Sequence, residues 1–380
     1  MSAGFTKMEL ISQIITLPKE ETQYSKAIHG GTNILESREL NYGEVLDFSA
    51  SISPINISSQ ILEISQKLDL SQYPDPDCLL LKEKITEGLK QYSLSPTNIS
   101  IGNGSTELIY AIASAFLNKT NTLTSRSLIF HPTYGEYFAA SSLHKAEISL
   151  ITPKYINPGW EWDWELAHNF IQEHNPNLIF LCNPNNPTGN YFSKSQIVQL
   201  LEVIKNTSSI LVVDEAYIDF VTDHKVLYDL ILEYKLILLR SLTKSYGITG
   251  LRLGYSLANP EITSQINQYI PPWSVNTLAQ NAGIHLFSGN NYIQTGKEMI
   301  DESKNYLIHA LTELGYTVEP SNANFLLFKV TNAQKMRDAL ISKNIIIRDC
   351  TSFGLPQHVR IGIRSISDCE KLIEAIHEIT

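Results

Sequence analysis

The sequence predicts an α/β fold, with a mainly parallel sheet between helices followed by a smaller α+β domain. Three observations carry that expectation. Short, continuous apolar runs alternate with helix-period segments through the middle of the chain. Polar motifs stand directly after those runs or open the helices. The texture then changes after about residue 260, where long helical segments lead into a second set of shorter apolar runs.

Residues 1–45 carry no strong sheet signal and read as an arm that packs on the small domain or on a partner subunit. Residues 46–275 form the expected large domain. Its strands are Ser127 to Phe130, Leu178 to Cys182, Ile210 to Val213 and Lys235 to Leu239. These runs are apolar along their whole length, which requires burial on both faces and so a covered, parallel sheet. Glu107 to Phe116 and Ser195 to Lys205 supply helical covers. Residues 276–313 read as helix, within a small domain spanning 276–380. Gly315 to Val318, Asn324 to Phe328, Ile345 to Arg348 and Val359 to Ile363 are its expected strands. In such sheets ligands bind beyond the carboxyl ends of the strands.

Composition narrows the function. The 380 residues carry a net charge of -10 and no long Lys/Arg block, which argues against nucleic acid or an anionic membrane as partner. No run approaches the roughly 20 apolar residues of a membrane span. Residues 1–20 lack the basic start and small-residue cleavage site of a signal peptide. The four cysteines are scattered without a CxxC pair, so neither a disulfide framework nor a metal site is expected, and the cytoplasm is the expected compartment.

Four segments carry chemistry. The first is Arg240-Ser-Leu-Thr-Lys-Ser-Tyr-Gly-Ile-Thr-Gly-Leu-Arg-Leu-Gly254. A lysine at a strand end is ordinarily a solvated charge. Lys244, however, has Ser241 and Thr243 beside it and Arg252 eight residues on, a set suited to a phosphate dianion. A nearby arginine also favours the free amine that a Schiff-base lysine needs. The second is Val213-Asp-Glu-Ala-Tyr217. Asp214 is either a helix cap or the partner of a protonated pyridine nitrogen. The third, Cys182-Asn-Pro-Asn-Asn-Pro-Thr-Gly189, is a turn by composition, and its two prolines would hold the Asn186 amide against a ligand. The fourth, Gly102-Asn-Gly-Ser-Thr-Glu107, opens a helix whose free N–H groups favour phosphate.

In this order the four segments resemble the fold-type-I, class I/II aminotransferase family of pyridoxal 5′-phosphate (PLP) enzymes, over about His29 to Arg364. The resemblance implies an aspartate aminotransferase-like fold with a sheet of the seven-stranded type. It implies that Lys244 carries PLP as a Schiff base, that Asp214 pairs with the pyridine nitrogen, and that Asn186 and Tyr217 contact the phenolic oxygen. Ser105, Thr106, Ser241, Thr243 and Arg252 would hold the cofactor phosphate. Tyr134, in His131-Pro-Thr-Tyr-Gly135, would stack on the ring, and Tyr73 would reach the phosphate of the partner subunit in a homodimer.

The resemblance also implies a substrate site. Arg360 matches the fork that grips a carboxylate, Arg348 a second anion contact, and the His29-Gly30-Gly31 stretch of the arm lies with them. Together they point to a small phosphorylated amino compound. His29-Gly-Gly31, Asp47-Phe-Ser-Ala-Ser-Ile52 before Pro54, Tyr73-Pro-Asp-Pro-Asp77, Gly102 to Glu107 and Ile347-Arg-Asp-Cys350 look most like threonine-phosphate decarboxylase, an enzyme of cobalamin assembly. Ser51 and Ser53 depart from that pattern, which commonly has Asn there. The alternative is an aminotransferase of the histidinol-phosphate type. A remoter one is a catalytically inactive PLP-binding module. Such regulators usually carry an appended helix-turn-helix domain, for which this chain has no room, and the retained Lys244, Asp214 and Arg360 speak against it.

Overall fold

The computed structural model describes residues 12–18, 21–31, 45–117, 124–289 and 291–379. In chain order the strands are β1 (Gln13–Thr16), β2 (Leu46–Asp47), β3 (Ile99–Asn103), β4 (Arg126–Phe130), β5 (Glu147–Thr152), β6 (Lys154–Tyr155), β7 (Trp160–Glu161) and β8 (Leu178–Cys182). They continue with β9 (Ile210–Asp214), β10 (Leu236–Ser241), β11 (Leu253–Leu257), β12 (Phe325–Lys329), β13 (Ile345–Ile346), β14 (Arg348–Asp349) and β15 (His358–Gly362).

The main sheet has eight strands, ordered β1-β5-β4-β8-β9-β10-β11-β3. Strands β5, β4, β8, β9 and β10 are parallel, and β3 joins them in direction through the antiparallel β11. Side chains alternate between two buried faces. Leu211 and Val213 enter one core, with Ile179, Leu181, Leu236 and Leu238. Ile210 and Val212 enter the other, with Phe180, Ile237 and Leu239. Burial on both sides is why these runs are apolar throughout. The helix Lys194–Lys205 starts at a Ser193/Gln196 capping box, which satisfies two of its free N–H groups.

The count is eight strands rather than seven because the arm contributes one. Gln13–Thr16 pairs antiparallel with β5, so the beginning of the arm lies on the edge of the large sheet. Three further strands escaped the sequence reading. β3, β5 and β11 are interrupted by Ser, Thr or Gly, which dilutes the apolar run.

The second sheet, β12-β15-β14, carries a separate core of Phe325, Leu326, Phe328, Val359, Ile361 and Ile363. The helices Tyr292–Glu313 and Ile366–Ile379 also bury residues there. The Ile345 to Arg348 run is split. Ile345–Ile346 pairs parallel with β2, whereas Arg348–Asp349 turns to pair antiparallel with β15. Gly315 to Val318 forms no strand; only Val318 makes an isolated bridge, to Phe328. Among the described residues no helix is long and apolar enough to cross a membrane, and no His/Cys/Asp/Glu group could hold a metal ion.

Candidate active site

The carboxyl ends of β3, β4, β8, β9 and β10 open on one cavity of about 420 Å³, which also receives the arm and β14–β15. Of the residues singled out in the sequence, His29, Gly30, Ser105, Thr106, Tyr134, Asn186, Asp214, Tyr217, Ser241, Thr243, Lys244, Arg252, Arg348 and Arg360 line it. Gly31 lies just outside, its N–H donating to Ser49 Oγ at 2.7 Å. Tyr73 is elsewhere. It is 81% exposed and packs on Trp273, with ring centroids 4.9 Å apart.

Lys244 lies on a four-residue helix, Leu242–Ser245, directly after β10. Burial, with Arg360 and Arg252 nearby, lowers its amine to about 8. Its backbone carbonyl accepts the Ser53 N–H at 2.9 Å, which ties the helix to the loop 49–54. An amine lowered in this way gives up its proton more readily than an ordinary lysine, which suits carbonyl chemistry.

The anion cradle is built by close backbone approach. Arg252 has φ 60°, a left-handed conformation, and its guanidinium lies against Gly104, where an added Cβ would meet Nη2 at 2.6 Å. A Cβ on Gly254 would meet the Ser105 N–H nitrogen at 2.5 Å. Both positions therefore need glycine. Ser241 Oγ and Thr243 Oγ1 are 2.7 Å apart, and Thr106 Oγ1 lies 3.2 Å from the Tyr134 hydroxyl. Arg252 makes one long bond, to the Thr249 carbonyl at 3.4 Å, leaving donors for a ligand. Hydroxyls, a helix start and an arginine fit a phosphate.

Asp214 ends β9 and is buried. Burial raises its carboxyl to about 6, against hydrogen bonds from the Tyr137 hydroxyl at 2.7 Å and the Ala216 N–H at 3.0 Å. A buried carboxylate without a cationic partner suits a protonated ring nitrogen. Tyr217 is buried edge-on to Phe325 at 5.2 Å, and burial pushes its phenol up. The donor set, from cradle to carboxylate, therefore fits PLP.

The two arginines face each other in register across β14 and β15. Arg360 donates through Nη1 to Asn186 Oδ1 and through Nη2 to the Ser49 carbonyl at 2.8 Å, while its buried Nε has no partner. Arg348 donates to the carbonyls of His29 at 2.9 Å and Ile28 at 2.6 Å, and to Ser352 Oγ at 2.8 Å. Burial and the neighbouring Arg360 lower Arg348 to about 10.

Sequence reasoning missed Tyr137 and Phe353 in the lining, and it quoted Ser49, Ala50 and Cys182 only as parts of motifs, without a role. Ser51, noted only as a departure from a pattern, also lines the cavity, and its buried hydroxyl is unpartnered. Tyr137 could have been found, because it lies almost one helical turn past Tyr134.

A family model described as aminotransferase class I and II matches residues 38–376. Histidinol-phosphate aminotransferase of Caldanaerobacter subterraneus subsp. tengcongensis is 33% identical over 86% of this chain and 89% of its own length. The adenosylcobalamin biosynthesis bifunctional protein of Leptospira interrogans is 32% identical over 92% of this chain, which spans 41% of that longer protein. Among solved structures, L-threonine-O-3-phosphate decarboxylase from Porphyromonas gingivalis aligns with a TM-score of 0.75 at 26% identity, covering 88% of this chain and 99% of that one. With the hydroxyls and Arg252, the buried carboxylate and the lysine of lowered basicity in one cavity, the chain belongs to the aminotransferase class I and II family and is a PLP-dependent enzyme.

Proposed function

We propose that the cavity acts on a small phosphorylated amino compound, and the observation that carries this is the pair Arg348 and Arg360 facing Lys244 from neighbouring strands. When bound, PLP supplies a ring that takes up the electron pair left as a bond to the substrate α-carbon breaks. Lys244 attaches the cofactor and afterwards moves protons at its Nζ. Asp214 faces the ring nitrogen. Asn186 and Tyr217 hold the phenolic oxygen, and Tyr134 stacks on the ring. Ser105, Thr106, Ser241, Thr243 and Arg252 hold the cofactor phosphate. Arg360 and Arg348, with the His29-Gly30-Gly31 stretch, take the anionic groups of the substrates, which are the phosphate of the amino compound in one half-reaction and the two carboxylates of a 2-oxo acid in the other. The exposed Tyr73–Trp273 pair supports a homodimer in which Tyr73 reaches the partner's cofactor.

The reaction proposed is transamination of the histidinol-phosphate type. The order of the two readings thus changes from the one the motifs favoured, because the histidinol-phosphate aminotransferase relative is 33% identical against 31% for a putative threonine-phosphate decarboxylase of the same organism. Decarboxylation of threonine phosphate is the second reading. It is favoured by the alignment over 92% of the chain with the adenosylcobalamin biosynthesis protein. Incubation with histidinol phosphate and 2-oxoglutarate should yield glutamate. Carbon dioxide from threonine phosphate, without glutamate in the first assay, would replace the first reading by the second. Product from neither would remove the proposed substrate class.

A further inference from the structure

Tyr137 enters none of the steps above, yet it makes a direct side-chain bond to Asp214. Its hydroxyl donates to Asp214 Oδ2 at 2.7 Å, between fully buried groups 77 residues apart in sequence. The phenol cannot easily swing away. Its ring is stacked on Phe180 at 5.1 Å with an interplanar angle of 8°, and the Tyr134 ring meets it edge-on at 5.7 Å. Phe180 in turn belongs to β8, inside the main sheet. The donor is therefore fixed by the sheet rather than by a loop.

Among the described residues, the ionisable groups coupled electrostatically to Asp214 are Tyr134 and Tyr137 from the segment 134–137, Cys182 at the end of β8, and Glu215 and Tyr217 after β9, while Lys244, Arg252 and Arg360 line the same cavity without pairing with it. None of the coupled groups is a cation. Burial disfavours the Asp214 charge, and only the Tyr137 hydroxyl and the Ala216 N–H are hydrogen-bonded to it in opposition. The backbone donor is present whatever the side chain at 216. Tyr137 is the one donor that a substitution can remove.

We propose that Tyr137 is a positioning residue that keeps Asp214 ionised and aimed at the cofactor ring. This rests on the reading of Asp214 as the partner of the ring nitrogen. Without the phenol, the buried carboxylate takes up a proton more readily and no longer stabilises a protonated ring.

The test uses Tyr137→Phe, which keeps the ring and its stacking, in the full-length protein. PLP affinity is measured by titrating apoprotein, beside kcat, KM for the amino substrate, and the pH dependence of the bound cofactor's visible band. A lost bond to a charged group predicts an increase of about tenfold or more in the PLP dissociation constant. It also predicts a fall in kcat with little change in KM, and a shifted visible-band titration. Asp214→Asn and the double variant complete a cycle: once Asp214→Asn is present, Tyr137→Phe should have little further effect. Wild-type PLP affinity in Tyr137→Phe overturns the proposal, as does a full additive loss in the double variant. If Asp214→Asn itself keeps wild-type affinity and turnover, the reading of Asp214 has failed. Should Tyr137→Phe lower the melting temperature of the apoprotein, Tyr137→His carries the test. As a smaller ring with a donor, it should bind PLP more tightly than Tyr137→Phe, and equal or weaker binding counts against the proposal.

Discussion

His29 Nε2 and Glu136 Oε1 stand 2.5 Å apart, joining the arm to the start of the helix Glu136–Leu143 beside the cavity that His29 and Gly135 line. The Tyr110 hydroxyl donates to the other Glu136 oxygen at 2.5 Å, and contact with His29 holds the Glu136 carboxyl below its ordinary range. From the opposite side, Arg348 holds the carbonyls of Ile28 and His29. The arm is thus fastened on one side to the helix after β4 and on the other to β14, where His29 and Gly30 line the cavity.

Glu136→Gln should loosen that fastening while leaving the cofactor machinery in place. Losing one charge-assisted bond predicts a KM for the amino substrate raised by about tenfold, with a smaller change in kcat. Limited proteolysis within residues 21–31 should become faster. Unchanged proteolysis would show that the His29–Glu136 contact does not restrain the arm.

Lys244→Met should stabilise the apoprotein while abolishing covalent cofactor attachment. Lowering the amine from 10.5 to about 8 corresponds to roughly 3 kcal/mol of penalty at neutral pH, since the folded state must hold the charged form in a buried place. The unfolded chain binds more protons between these two values, so this group makes stability rise as pH rises from about 8 to 10.5. Urea melts of apoprotein at pH 7 and pH 10 check both statements. In the variant the neutral-pH gain should be present and this pH dependence absent. Borohydride should leave no cofactor attached at residue 244.

Asp214 predicts the opposite sign. Its carboxyl rises from 3.8 to about 6, so the folded apoprotein binds more protons across that window and loses stability as pH rises through it. The ionised form is the one that favours a protonated ring. PLP affinity should therefore fall as pH drops below about 6. Asp214→Asn should bind PLP weakly at every pH and lose that dependence, as titration of apoprotein with PLP would register.

Arg360→Lys should be poorly tolerated despite conserving charge. Arg360 reaches Asn186 and the Ser49 carbonyl through different nitrogens of one planar fork, which an ammonium cannot reproduce. The expected result is a KM for carboxylate-bearing substrates raised by at least about tenfold. PLP content, read from the visible band, should stay near that of the wild type.

Most of the residues that line the cavity were legible in the sequence because each sits at a fixed offset from the end of a strand. Lys244 follows β10, Asp214 ends β9, and Asn186 and Ser105 follow β8 and β3. Parallel strands bring those ends to one edge, so local order along the chain becomes proximity in space. Tyr73 shows the limit of such reasoning. The motif containing it was recognisable, yet within one chain its ring lies outside the cavity on Trp273.

The sequence by itself determined the fold class, through its apolar period, and the family with its cofactor, through the resemblance that the ordered strand-end motifs carry. Only the tertiary structure decided that the arm adds a strand to the main sheet, that Arg348 holds the arm's carbonyls, and that Tyr137 bonds Asp214. Those pairings span 77 to 320 residues. Nothing in the local pattern selects one partner for a buried donor or a strand edge. The packing of helices against the two faces of the sheet makes that choice, because it leaves each buried polar group few partners within reach.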